Sequence, residues 1–377
     1  NKVDLTLTGP NSVSIGSDGN TVSLNRLTVA KDNLSDTVSV TAKLELAALT
    51  AGNTSITLTS GTLDIVNDDD PITISLANGA DFTIPEEAAL IVRGDGNVVS
   101  TTNGDIALSG LLRINGSATL NVGGDIKYSN SGLATLEVNG TASLDVGRQI
   151  HPDGTGSLVF TQTGGSVAVG TSVEELDNDY GVLEVVGATS AFTYSGGTLT
   201  ISRGSGSLNG DLRLEPSSFD VSAGATLTIQ AAAASETITI NSSSPLSSLN
   251  ILAANNPTVS PVVRRLSLYG DFTNAATFSS NGLSLSVQGD FTNSGTFTAT
   301  SSDTVLFAGT NQTLTNTGTV NFHHMVVGPT GTLTVNEGFT VNGNLAINRG
   351  TFADGGNTIQ VKGNIHNAAT HSGAGLM

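Results

Sequence analysis

The residues with the clearest chemical potential in this sequence are clustered carboxylates. Residues 174–179 are Glu-Glu-Leu-Asp-Asn-Asp, and the spacing of Asp177 and Asp179 lets one loop direct both side chains at a single hard cation such as Ca²⁺. The segment lacks the glycine-centred twelve-residue loop with a terminal Glu that defines an EF-hand. A solvated acidic loop is the favoured interpretation, and a calcium site is the alternative. The same two interpretations apply to Asp68 and Asp70, and calcium is the only cofactor that the sequence suggests.

Two pairs of basic residues stand out in a chain that has only 14 Lys and Arg. They are His323-His324 and Arg264-Arg265. Adjacent residues on a strand face opposite sides, so neither pair is expected to converge on one ligand. The chain has no cysteine, which excludes disulfides, thiolate metal sites and cysteine nucleophiles. No Ser-His-Asp order and no nucleophile elbow stands out among the many Ser and Thr residues.

An enzyme that acts on polysaccharides needs convergent side chains. Hydrolases use paired carboxylates, and stabilisation of a developing anion needs basic groups at the reacting centre. The basic residues here are scattered along the sequence, and there is no Trp and only four Tyr to form sugar-stacking platforms. We therefore expect no enzyme and no catalytic residues. A carbohydrate-active β-helix enzyme, either a polysaccharide lyase or a hydrolase, is the alternative.

A recurring step of Gly, then Asp or Asn, then a large apolar residue is the strongest motif in the chain. Successive copies, such as those at Gly104 and Gly124 or at Gly270 and Gly289, are spaced by about 20 residues. A sharp turn between strands often needs a positive φ, which Gly adopts freely and Asp or Asn adopts more readily than other residues. Calcium-binding nonapeptide solenoids also use Gly and Asp, but one acidic residue per coil is too few. We assign the motif to coil corners: Gly104, Asp105, Gly124, Asp125, Gly210, Asp211, Gly270, Asp271, Gly289, Asp290, Gly343, Asn344, Gly363 and Asn364.

The elements that must carry these corners are short β-strands. Apolar and polar residues alternate in several segments, and a period of two places every second side chain on one face. A repeat of about 20 residues is too short for a helical pair and fits one turn of a solenoid. The sequence therefore predicts an all-β, single-stranded parallel β-helix in which Leu283, Leu285, Val287 and Phe291 stack with their counterparts in neighbouring coils. Asn side chains at equivalent positions are expected to form hydrogen-bonded ladders.

Charge and hydropathy exclude two classes of partner. The net charge of −18 repels phosphate backbones and anionic lipid heads, so no nucleic acid is expected. No apolar run approaches the roughly 18 residues that a membrane-spanning helix needs, so no direct membrane insertion of this segment is expected. Zero cysteines in a chain of this length is compatible with export from a bacterial cell.

Two phrases resemble known exported proteins. Segment 287–297 (VQGDFTNSGTF) resembles the coils of filamentous-haemagglutinin-type adhesins, and segment 341–348 (VNGNLAIN) is similar to repeats of surface proteins exported by Bacteroidota-type secretion systems. The resemblance covers the chain from about residue 100 onward and is weaker before it. It implies a right-handed parallel β-helix displayed outside the cell.

The expected organisation is one continuous β-solenoid over residues 1–377. A boundary near 68–71 is the best candidate for a division, with 1–67 as a first solenoid segment or a small β-sandwich. We expect the sequence to be part of a longer chain, and its function to be that of an extracellular structural or adhesive rod or filament subunit on a bacterial surface. The expected partners are further repeats, copies stacked end to end, and a host or environmental surface or glycan.

Overall fold

The computed structural model describes residues 2–16, 20–66, 71–129, 131–300 and 302–376. In these ranges every regular element is a β-strand, which confirms the all-β prediction. The described ranges contain no helical segment of the length and hydropathy that crossing a bilayer requires.

The strands are named in chain order. The first are β1 (Val3–Gly9), β2 (Val13–Ile15), β3 (Val22–Lys31), β4 (Thr37–Val40), β5 (Leu44–Leu46), β6 (Asn53–Thr54), β7 (Ile56–Val66), β8 (Thr73–Asn78), β9 (Phe82–Ile84), β10 (Ala88–Arg93), β11 (Val98–Thr102), β12 (Ile106–Leu108), β13 (Leu111–Ile114), β14 (Thr119–Val122) and β15 (Ile126–Tyr128). They are followed by β16 (Leu133–Val138), β17 (Ser143–Val146), β18 (Ile150–Pro152), β19 (Ser157–Val169), β20 (Leu183–Val185), β21 (Ala191–Ile201), β22 (Leu212–Leu214), β23 (Ser218–Val221), β24 (Thr226–Ile229), β25 (Thr237–Ser242), β26 (Ser248–Ile251), β27 (Thr258–Pro261), β28 (Leu266–Leu268), β29 (Phe272–Asn274) and β30 (Thr277–Ser279). The last are β31 (Leu285–Val287), β32 (Phe291–Asn293), β33 (Thr296–Thr298), β34 (Thr304–Phe307), β35 (Gln312–Asn316), β36 (Thr319–Phe322), β37 (His324–Val327), β38 (Thr332–Val335), β39 (Phe339–Val341), β40 (Leu345–Ile347), β41 (Thr351–Ala353), β42 (Ile359–Val361), β43 (Ile365–Asn367) and β44 (Thr370–Ser372).

The chain divides into two compact units. The first unit comprises Asn1–Asp177, Val182–Thr198 and Pro216–Asp220. The second comprises Asn178–Gly181, Leu199–Glu215 and Val221–Met377.

The first unit is a stack of parallel strands. Strands β9, β12, β15 and β18 form one face, in which Ile106 pairs with Phe82 on one side and Ile126 on the other. Strand β7 pairs in parallel with β4 and with β10. The same stack therefore contains strands that precede residues 67–70 in the sequence and strands that follow them. Strands β1, β3 and β5 also pair in parallel, which is the pairing of a solenoid and not that of a β-sandwich. A short antiparallel pairing joins β6 and β8.

The second unit repeats a three-stranded coil from β28 onward. Each coil contributes one strand to each of three faces, as in the coil made of β31, β32 and β33. Strands β28, β31, β34, β37, β40 and β43 form the first face, and β29, β32, β35, β38, β41 and β44 form the second. The third face consists of β27, β30, β33, β36, β39 and β42. Both units are therefore parallel β-solenoids, as predicted.

The coils are longer than the sequence repeat predicts. Their average length is roughly 23 residues, because some corners carry extra residues while the strands keep their register. The step along the chain from Leu285 to its partner Val305 is shorter than the step from Phe291 to its partner Leu314. The additional residues lie in the corner between β34 and β35.

Large apolar side chains stack inside the second unit. Phe272 and Phe291 stack with ring centroids 4.8 Å apart, and Phe278 and Phe297 with centroids 5.3 Å apart at an interplanar angle of 16°. Leu285, Val287 and Phe291 are buried as predicted, while Leu283 precedes β31 and is half-buried. Aromatic pairs in such contact stabilise a core beyond the area that they bury.

A ladder of asparagine amides runs beside this aromatic stack. Asn274 and Asn293 are fully buried, and the Nδ2 of Asn274 donates to the Oδ1 of Asn293 at 2.8 Å. Asn293 repeats this bond to Asn316 at 2.8 Å, so the predicted ladder is present. Neither buried Asn has a positive φ, so a left-handed backbone conformation is not the reason for Asn at these positions. The amides instead satisfy one another and the backbone carbonyls of the next coil, as with Asn293 and Thr319.

Candidate functional site

The motif glycines are required by close approach between coils. Of the seven motif glycines only Gly210 has a positive φ, 105°, so the expectation of positive φ is wrong for the other six. A Cβ on Gly104 would collide with the carbonyl group of Ala80 in the preceding coil. A Cβ on Gly289 would collide with the Asp271 carboxylate and with the backbone of the preceding motif. Glycine is therefore needed here because the backbone of one coil lies directly against the next.

The second residue of the motif bonds to the backbone of the following coil. The Oδ1 of Asp105 accepts the N–H of Asp125 at 2.8 Å. The Oδ1 of Asp271 accepts the N–H of Asp290 at 2.7 Å, and the Oδ1 of Asn344 accepts that of Asn364 at 2.9 Å. Each bond gives a partner to an N–H group that the strand ladder leaves unpaired at the corner.

Asp211 holds a loop as well as a corner. Its Oδ1 accepts the N–H groups of Ser205 at 2.7 Å and Gly206 at 3.2 Å. Its Oδ2 accepts the N–H and the hydroxyl of Thr239, both at 2.7 Å. The carboxylate oxygens are thus occupied by protein donors, which is a structural use of the motif.

The calcium candidates are placed as follows. Asp177 belongs to the first unit and Asp179 to the second, and both are exposed. The backbone of Asp177 exchanges two hydrogen bonds with the Gln149 side chain, at 2.7 and 2.9 Å. Asp68 and Asp70 lie outside the described residues. Within the described ranges no group of three or more His, Cys, Asp or Glu side chains is arranged to hold a metal ion.

The His323-His324 pair differs from the expectation for neighbouring strand residues. His323 lies at a bend before β37, and its ring centroid is 4.4 Å from that of His324, so the two rings do not point to opposite sides. The Nδ1 of His324 accepts the N–H of Asn344 at 3.0 Å. Arg264 forms an ion pair with Glu215, which also pairs with Arg213 at 2.6 Å.

A convergence of charge in the first unit was not expected from the sequence. We call it the Asp125 cluster: Asp105, Asp125, Lys127, Arg148 and His151. The Nζ of Lys127 is 2.5 Å from Asp105 and 4.0 Å from Asp125. Arg148 and His151 approach Asp125 at 3.5 and 4.0 Å. The two motif copies at Asp105 and Asp125, with Lys127 two residues further along the same strand face, were the signal available in the sequence.

Burial controls the protonation of this cluster. Asp125 is only 2% exposed, and burial raises the pKa of its carboxyl group. The nearby Asp105 carboxylate raises the pKa of Asp125 further, while Arg148 and His151 act in the opposite direction. The hydrogen bond to Asp105 raises the pKa of Lys127, so Lys127 carries its charge at neutral pH. Most of the charge in the cluster is therefore neutralised internally.

A polar groove of about 390 Å³ opens beside the Asp125 cluster. Small side chains at Ala107 and Ser109 leave space between neighbouring coils. The groove is bordered by Lys127 and by the exposed carboxylates of Glu86 and Asp153. It offers hydrogen-bond donors and acceptors to a hydroxylated ligand.

No protein-family model, no curated protein and no solved structure matches the chain. Function is therefore inferred from the fold and from the geometry of these sites.

We predict that Gly289→Ala destabilises the second unit by about 1–3 kcal/mol, since the new methyl group overpacks the contact with the preceding motif. Gly328→Ala is the matched control. Gly328 has an ordinary φ, and the nearest atom to a Cβ would be 3.6 Å away, so this change is expected to stabilise by about 0.4–1 kcal/mol. Urea unfolding of both variants measures the difference, and equal effects would contradict the steric explanation.

A second buried carboxylate predicts a dependence of stability on pH. Asp354 is fully buried, and its Oδ1 accepts the N–H groups of Gly356 at 2.7 Å and Gly375 at 3.1 Å. Its Oδ2 is 2.8 Å from the Nε2 of His371. The N–H of Gly356 lowers the pKa of Asp354 most; burial raises it, and Gly375 and His371 lower it further, with a net decrease.

We predict that Asp354→Asn lowers the melting temperature at neutral pH and that this difference disappears in acid. A lowered folded-state pKa stabilises the fold above the unfolded-state pKa of about 3.9, and the stabilisation is lost as pH falls through the folded-state value. Thermal unfolding from pH 7 to pH 2.5 measures the effect. Asp220→Asn, at an exposed position, is the control, and a deficit of Asp354→Asn that does not change with pH would refute the prediction.

Proposed function

We propose that this chain is a non-catalytic structural and adhesive element displayed on a bacterial cell surface, as a rod or filament subunit. The observation that carries the proposal is the cross-coil bonding within each unit. Corner carboxylates, buried Asn amides and inward Phe rings each join one coil to the next, as in the series Asp271 to Asp290 and Asn274 to Asn293. Nearest-neighbour bonding of this kind gives mechanical continuity along a stack of coils.

The resemblance of segments 287–297 and 341–348 to exported adhesins supports the extracellular assignment. The outward positions of β30, β33 and β36 carry hydroxyl and amide groups, and the net charge of −18 favours solubility at high concentration. A surface or glycan contact is proposed as the adhesive function.

End-to-end association or continuation into further repeats completes the proposal. Strand β43 lies at the edge of its face, and its residues, including Ile365 at 47% exposure, are exposed. An exposed strand edge is a template for another strand. A second copy or a further coil would cover this edge.

Negative-stain electron microscopy over a range of concentrations tests this function. We expect elongated particles that lengthen as concentration rises, and Ile365→Lys is expected to prevent lengthening because it places a charge on the exposed edge. Thr292→Lys, on the outer side of β32, is the matched control and should leave lengthening unchanged. Compact particles, or particles of fixed length, would contradict a filament subunit.

A carbohydrate-active enzyme is a second candidate because of one observation. Asp125, with its raised pKa, lies beside Asp105 and Lys127, and Lys127 borders the polar groove. Paired carboxylates with a basic neighbour are the groups that such chemistry needs. Release of reducing ends or unsaturated products from a panel of neutral and uronate polysaccharides tests it. Turnover that disappears in both Asp125→Asn and Lys127→Met would favour the enzyme over the adhesive role.

A further inference from the structure

The third face of the second unit presents a regular field of hydroxyl groups. We call it the threonine field. Every outward residue of β27, β30, β33, β36 and β39 is Thr, Ser or Asn. The first row is Thr258, Thr277, Thr296 and Thr319, and the second row is Ser260, Ser279, Thr298, Asn321 and Thr340.

Inward packing fixes the spacing of this field. Between the two rows lie buried side chains, among them Phe278 and Phe297, whose rings stack at 16°. Successive residues within one row lie on neighbouring strands and are therefore about 4.8 Å apart. The two rows are about 6.6 Å apart along each strand. Thr is stiff at χ1, so the hydroxyl and methyl groups of the first row have restricted positions.

The hydroxyl groups of the first row are available to a ligand. In the described part of the chain the side chains of Thr258, Thr277, Thr296 and Thr319 make no hydrogen bond, and each is half-buried or exposed. The field ends where Thr239 donates its hydroxyl to Asp211. Beyond this point Gly204, next to the loop that Asp211 holds, lies against the backbone carbonyl of Thr237.

The first face of the same unit does not share this pattern, whereas the second face carries outward Thr rows of its own, such as Thr273, Thr292 and Thr315. Outward positions of the first face in the same unit are mixed, for example Ser286, Leu306, Val326, Ala346 and His366. The threonine field has no charged and no aromatic member. Sugar recognition would favour aromatic platforms, and an ionic partner would require charge. A periodic, uncharged array of hydroxyl and methyl groups fits a ligand that is itself a periodic lattice of hydrogen-bonding groups.

We propose that the threonine field binds ice. The prism faces of ice present rows of water oxygens whose two repeats are close to the spacings between strands and between rows in this field. Each Thr hydroxyl exchanges hydrogen bonds with lattice water, and the methyl groups fill the space between rows. The inference names a ligand for the adhesive role proposed above and rests on that role.

Ice affinity of the full chain tests the proposal. Wild-type protein is expected to enter a slowly growing ice hemisphere and to inhibit recrystallisation in a frozen sucrose film. Thr277→Lys and Thr296→Lys, which place a charge in the centre of the first row, are expected to lose both activities. Ser286→Lys on the first face, at a half-buried Ser in a strand of the same length, is expected to retain both.

Circular dichroism and melting temperature show whether the variants remain folded. Exclusion of wild-type protein from ice, or equal activity of Thr277→Lys and Ser286→Lys, would overturn the proposal. Pull-down on microcrystalline cellulose and on chitin runs in parallel, and binding there without ice affinity would also overturn it. Particle lengthening in the electron microscope does not depend on these threonines, so its presence or absence separates failure of ice binding from failure of the structural role.

Discussion

The structure depends on parallel backbone hydrogen bonding between successive coils. A strand in the interior of a unit is bonded on both sides, as Ile106 is between Phe82 and Ile126. Backbone N–H and C=O groups must be paired when they are buried, so register is maintained even where the length of a coil changes. In-register stacking then places equivalent side chains of successive coils next to one another. The Phe stack, the Asn ladder and the corner carboxylates are consequences of this one constraint.

The same constraint shapes the surface. An outward residue that recurs in every coil becomes a row, and a motif side chain becomes a cross-coil link, as Asp271 does with Asp290. Features that are weak in one coil are multiplied along the stack, which favours binding to extended or repetitive ligands over binding to small ones. The Asp125 cluster is an exception, since it occurs once and its charges largely neutralise one another.

The sequence predicted the parts of the fold that depend on local patterns. Alternation at Leu285 and Val287 and the spacing of the Gly-Asp steps predicted strands and corners in a parallel solenoid. The steric reason for glycine at Gly289 was missed, because close approach between coils becomes visible only when the neighbouring coil is placed. The meeting of Asp125 with Arg148 and His151 was missed for a related reason. Ile126 in β15 pairs with Ile150 in β18, across a coil that is longer than the motif spacing of about 20 residues. An alignment at the motif spacing therefore places residues other than Arg148 and His151 beside Asp125.

Disulfide trapping tests the in-register stacking most directly, because the chain has no native cysteine. Thr273 and Thr292 are register partners on adjacent strands, and Thr315 lies one strand further. Adjacent strands are about 4.8 Å apart, within the range that a disulfide spans, whereas a separation of two strands, about 9.6 Å, exceeds the limit of about 7 Å. Mild oxidation is predicted to join Thr273→Cys to Thr292→Cys and to leave the pair Thr273→Cys with Thr315→Cys reduced. Cross-linking of the second pair, or of neither, would contradict parallel stacking in this register.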